Sequence, residues 1–249
     1  MRAEIARFVV ALSVVAGVLI WAQAGGGIVW DPISLSLRVA LMAMLWSLGV
    51  GIALALLLTW KKLPASDLID ALISVPLVLP PTVLGYYLIV SLGPESALGR
   101  GWEWLTGSPL AFTFNAAVIA AAVGSLPLVV RSVKVGLESI DPSYPAAART
   151  LGAGPVRVFF TILLPLATPG VIAGAMMGFA RSLGDYGATM MFASARPHEN
   201  LPTGAIAVID YIVANHEAEA RRMAITMTVV GIVMLYLANR LTKRMQRRA

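Results

Sequence analysis

The chain has 249 residues, of which 58% are hydrophobic and 13% charged, with a net charge of +6 and no cysteine. Ordinary soluble domains carry about 25% charged residues, and a soluble fold of this size could not hide so much apolar surface, so lipid is the simple solvent for it. The absence of cysteine excludes disulfides and thiolate metal sites, and the basic residues lie between apolar spans, not on one soluble face, which argues against a nucleic-acid interface.

The first apolar run, 8–24, is short. Arg2 and Arg7 precede it, and Ala22-Gln23-Ala24 ends it before Gly25-Gly26-Gly27. It is read as an uncleaved N-terminal helix within residues 1–30, although the same features fit a cleavable signal peptide. Either way residue 31 lies outside the membrane. Five longer runs follow, at 33–60, 68–92, 110–130, 168–192 and 223–241. Each is near or above the ~20 residues that cross ~30 Å of hydrocarbon as a helix. Helices are favoured because backbone groups in lipid must be satisfied within the segment, and the alternation of a membrane barrel is absent. The expected fold is an all-α polytopic bundle of about six transmembrane helices. Residues 31–249 form one membrane domain with no visible repeat.

Charge gives the orientation. Alternate segments hold Arg2, Arg7, Lys61, Lys62, Arg131, Lys134, Arg149, Arg157, Arg240, Lys243, Arg244, Arg247 and Arg248, against Arg100, Arg196, Arg221 and Arg222 in the other set. Lys and Arg mark the cytoplasmic side, so both termini and the 131–165 loop are expected there.

Within the second long run, Pro76 and the Pro80-Pro81 pair break the helical ladder. Irregular backbone at depth is tolerated only against protein or a water-filled cavity. Pro80, Pro81, Thr82 and Gly85 are therefore candidate pathway lining; a packing kink is the alternative. In the loop, Asp141 can cap a helix and Pro142 suits its first position. Ala146-Ala147-Ala148 has high helix propensity and little bulk, and Gly152, Gly154 and Pro155 stop it. A short slim helix results, able to enter a groove on a partner, with Arg149 and Arg157 available for acidic groups. A plain surface loop is the alternative.

Arg38, Arg181 and Asp185 fall within or at the ends of apolar runs, where charges are costly and face cavities or each other. The two arginines could serve an anion path. Alternatively Arg181 and Asp185, four apart, neutralise each other, and Arg38 lies near the outer interface. Gly184 and Gly187 suit close helix contact. His198, Glu199, His216, Glu217 and Glu219 share an external loop without metal-ligand spacing and read as solvated. No nucleophile–base constellation and no G-x-x-x-x-G-K-[ST] phosphate loop are visible. The chain is expected to be no enzyme and to bind no cofactor or metal; its energy must come from another chain.

The loop resembles the signature loop of ABC-importer permeases: E-A-A, a glycine after three residues, then I-x-L-P after nine more. Ala147, Ala148, Gly152, Ile162, Leu164 and Pro165 occupy the pattern's places. The pattern's glutamate would fall at Ala146 or Pro145, and neither is acidic; Glu138 or Asp141 could replace it. Segments 77–88, 149–162 and 179–189 are similar to molybdate-transport permeases. The resemblance implies a type I importer permease in the bacterial inner membrane. It implies a homodimer in the bilayer, a separate ATPase subunit that uses the ATP, and an external oxyanion-binding protein. ATP binding would open the pore outward, and hydrolysis would release the ion inward. Sulfate, thiosulfate or tungstate are alternative cargoes. An ion-coupled secondary transporter is the rival class and would need ion-coupling groups or a repeat.

Overall fold

A computed structural model describes residues 30–59, 66–194 and 202–246. The expected first helix at 8–24, Lys61, Lys62, His198 and Glu199 lie outside the described residues. All regular structure among the described residues is helical. Helix α1 (Trp30–Leu58) is followed by α2 (Ser66–Val78) and α3 (Pro81–Leu92). Next come the short α4 (Ala97–Thr106) and the long α5 (Phe114–Glu138). Helices α6 (Ser143–Thr150) and α7 (Pro155–Leu166) form the loop. Then come α8 (Thr168–Leu183), α9 (Gly187–Ala193), α10 (Gly204–Val213) and α11 (Glu217–Gln246).

Helices α1 and α5 are each long and apolar enough to cross a membrane unbroken. The expected 68–92 span is broken: α2 and α3 meet at 112°. A residue before proline is pushed out of the helical region, and Pro80, which precedes Pro81, is extended at φ −54°, ψ 137°. Pro81 then opens α3, where its missing N–H costs nothing. The 168–192 run is also broken, into α8 and α9, at residues 184–186. A further bend of 70° separates α7 from α8. The fourth apolar run thus enters from an angled helix that its composition did not reveal. The third run extends beyond its expected end at 130, because Arg131 and Lys134 stay helical. They reach across to α2, where Lys134 pairs with Asp70 at 2.9 Å and Arg131 donates to Ser74 Oγ at 3.0 Å.

Helix α5 is the hub, with α1, α8, α9 and α2 packed around it. Along its first half its buried residues are nearly all small: Ala116, Ala117, Ala120, Ala121, Gly124 and Ser125. Facing it, α1 buries Ala40, Ala43, Ser47, Gly51 and Ala55, spaced three and four apart. Lipid offers no hydrophobic drive for helix association, so close van der Waals packing of small residues must supply it. Gly51 and Gly178 show how close: a Cβ on either would lie 2.7 or 2.8 Å from a methyl of Val129. The outward faces carry exposed apolar residues such as Leu45, Trp46, Val78 and Ile232.

Candidate functional site

Two regions bring together the residues that the sequence singles out. The first is the loop between α5 and α8. Asp141 Oδ1 accepts from the Ser143 backbone N–H at 2.8 Å, which satisfies one of the free donors at the start of α6. That N–H holds the exposed Asp141 carboxyl below the usual carboxylate range. Helix α6 follows with no buried residue. Ala146, Ala147 and Arg149 are exposed, and Ala148 is half-buried.

The helix ends in a Schellman motif. The Ala153 N–H reaches Ala148 C=O and the Gly152 N–H reaches Arg149 C=O, each at 3.0 Å. That closure needs a left-handed residue, and Gly152 supplies it at φ +81°. The sequence-predicted stop is therefore found, with its mechanism.

Beyond the stop the chain turns helical again. Gly154 and Pro155 open α7, with proline in its first turn. Midway, Phe159–Leu163 forms a π-turn closed by Leu164 N–H to Phe159 C=O. Pro165 accounts for it. A proline ring clashes with the carbonyl four residues back, here Thr161, and a wider turn moves that carbonyl away. Ile162 and Leu164 are half-buried, and Pro165 is exposed. Tyr144, Leu151, Val156 and Phe160 are exposed, Leu151 by 88%. With Arg149 and Arg157 beside them, they make an apolar patch with a basic rim, the kind of surface that marks a protein contact. Of the two substitutes for the absent glutamate, Asp141 is engaged in capping; Glu138 is exposed at the end of α5.

The second region is the crossing of α3 and α9. A Cβ on Gly85 would lie 2.7 Å from Met191 Cβ and 3.0 Å from the Ala188 backbone. A Cβ on Gly187 would lie 2.8 Å from Pro81 Cβ and 3.0 Å from Thr82 N. Each helix supplies the glycine that admits the other's backbone. Gly85 is thus buried where α3 meets α9, while Pro80, Pro81 and Thr82 are exposed. Gly187 makes the close contact expected of it. Gly184 does not: it is exposed, with only Ala180 O near, at 3.9 Å.

Beside this crossing lies an ion pair, Arg181 Nη1 to Asp185 Oδ1 at 3.1 Å. Asp185 Oδ2 accepts from both the backbone N–H of Thr189 (3.0 Å) and its hydroxyl (2.7 Å). One carboxylate thereby closes the α8–α9 break and caps α9. Ser182 donates to Ala121 C=O at 3.3 Å, tying the same turn to α5. Arg38 is not part of this cluster; it is exposed on α1 and forms no ion pair among the described residues. Glu219 pairs with Arg222 at 2.9 Å. The role of Thr189 was missed, although an Asp four residues before a Thr at a helix start was a usable sign of capping. The bond from Gly204 N–H to Ser36 Oγ (2.7 Å), which ties α10 to α1, had no sequence signal.

Among the described residues the chain is an all-helical bundle with broken apolar helices and an exposed helical loop, an architecture suited to a membrane component. The chain belongs to the family of binding-protein-dependent transport system inner membrane components, matched over residues 47–249. It is 42% identical over 223 residues to the molybdenum transport system permease protein ModB of Escherichia coli K12, covering 88% of this chain and 96% of that one. The ModB proteins of Haemophilus influenzae (42%, covering 88% and 95%) and Azotobacter vinelandii (36%, covering 82% and 90%) are also similar. Among solved structures, a bacterial ABC transporter involved in the import of the polysaccharide alginate matches with TM-score 0.67 at 14% identity, over 86% of this chain and 78% of that one. The inward-facing MetNI methionine ABC transporter matches with TM-score 0.59 at 19% identity, over 92% and 96%. These two likenesses show the fold alone.

Proposed function

We propose that this chain is the permease subunit of an ATP-driven importer that moves molybdate into the cytoplasm. It would work as a homodimer with a separate ATPase subunit and an external oxyanion-binding protein. The observation that carries the reading is the 42% identity to ModB across nearly the full length of both chains. The loop geometry supports the coupling step: α6 presents small side chains and an apolar, Arg-rimmed patch to a partner. Movement of the docked α6 would pass through α7 to α8 and across the α8–α9 break to the α3 crossing. The test is uptake of molybdate into vesicles holding the permease and its ATPase, with binding protein supplied outside. Uptake is expected to require ATP and the ATPase chain. Uptake driven by an ion gradient without that chain would overturn the reading.

Orientation follows from the charge bias. In this cysteine-free chain, cysteines placed at Glu103 or Glu217 are expected to react with an external label, and those at Lys62 or Gln246 are not. External labelling at Lys62 would reverse the topology and place α6 out of the ATPase's reach.

A further inference from the structure

Asp185 is the only charged residue buried among the described residues, at 4% exposure. Its three hydrogen bonds use both carboxylate oxygens. Arg181 differs: its side chain keeps 27% of its surface. Only Nη1 has a partner among the described residues; Nη2 lies 3.7 Å from where a Cβ on Gly124 would sit. The guanidinium therefore lies against α5 at Gly124, at ordinary van der Waals distance. The result is a partly exposed fork of N–H donors whose charge a buried neighbour cancels. A guanidinium fork matches the oxygens of a tetrahedral anion. An unpaired one in a low-dielectric site would hold a dianion strongly, whereas conduction needs a site weak enough to release its ion.

We infer that Asp185 sets how tightly the pathway holds an oxyanion. It cancels the charge of Arg181, so that the free N–H groups guide the ion past without retaining it; without the carboxylate the same place becomes an anion-binding site. Thr189 is a positioning residue. By taking Oδ2 it leaves Oδ1 turned to Arg181. The inference rests on the transport reading for the claim that the chain conducts an oxyanion; that the path runs beside Arg181 is part of the inference.

The experiment uses the permease–ATPase complex in lipid nanodiscs, without binding protein, titrated with molybdate. Asp185→Asn is expected to bind molybdate at least about tenfold more tightly than the wild type. Sulfate should compete, and the Arg181→Gln/Asp185→Asn double variant should lose the gain. An assembled Asp185→Asn complex that binds no more tightly than the wild type would overturn the inference, as would a gain that survives in the double variant. Thr189→Val changes no charge and guards against failed assembly of Asp185→Asn. A smaller gain in the same direction is expected, reversed in Thr189→Ser. Unchanged binding by Thr189→Val, if Asp185→Asn does not assemble, counts against the inference. ATP-dependent uptake by the wild-type complex with binding protein is measured in parallel; its absence would overturn the transport reading instead.

Discussion

The loop and the helix crossing use small residues for opposite ends. In α6, Ala146 and Ala147 are small so that the helix surface is bare; the helix buries nothing of its own. At the crossing of α3 and α9, Gly85 and Gly187 are small because the space is already filled, with backbone about 3 Å from the missing Cβ. An added side chain should therefore be tolerated by the fold in the first place and not in the second. In the first it should instead be refused by the partner.

The largest effect is expected at the crossing. Gly187→Val forces atoms into Pro81 and the Thr82 backbone, which cannot yield as a flexible side chain could. Overpacking costs about 1–3 kcal/mol, enough to lower the yield of folded permease and its melting temperature in detergent. Wild-type yield and melting temperature would show that the two helices do not meet as described.

Next come Ala148→Trp and Gly152→Trp in the loop. Both should leave a folded permease in the membrane and abolish co-purification of the ATPase, or the stimulation of its hydrolysis by loaded binding protein. Gly152→Trp also strains the left-handed turn, at about 1–2 kcal/mol, and so is the harsher of the two. Normal association and uptake by both variants would remove the loop from the coupling role and erase the contrast between the regions.

The smallest effect concerns Asp141. Its carboxyl titrates below the ordinary range because the folded state's Ser143 N–H favours the charged form. The stabilisation is thus present above the ordinary carboxylate pKa and is lost as pH falls through the lowered one. ATPase association should be flat between about pH 6 and 8, since both values lie lower. Asp141→Ala should weaken association only slightly across that range. A steep change within that window would assign the loop's sensitivity to another group.

Much of this was legible because the relevant physics is local. The Pro80-Pro81 pair announces a break, and Ala146 to Gly152 announces a helix and its stop. What stayed hidden acts across distance. The 112° angle between α2 and α3 is set by what those helices pack against. Gly85 reads as an accessible kink residue until α9 is laid on it. Arg131 and Lys134 read as loop charges until Asp70 and Ser74 are brought beside them. The α8–α9 break falls where Gly184 and Asp185 interrupt an apolar run, and the bonds from Thr189 to Asp185 show how the carboxylate closes it.

The π-turn at Phe159–Leu163 has a mechanical consequence. A five-residue turn holds one residue more than an α-turn, and shedding it would let the helix wind like a screw, by about 100° per residue. Such a turn would be a spring, absorbing a push as torsion. Pro165 forbids the rewinding, because the tighter turn would drive its ring into the Thr161 carbonyl. With α6 docked as proposed, the wide turn would act as a crank, passing a displacement to the start of α8 as movement and not as twist.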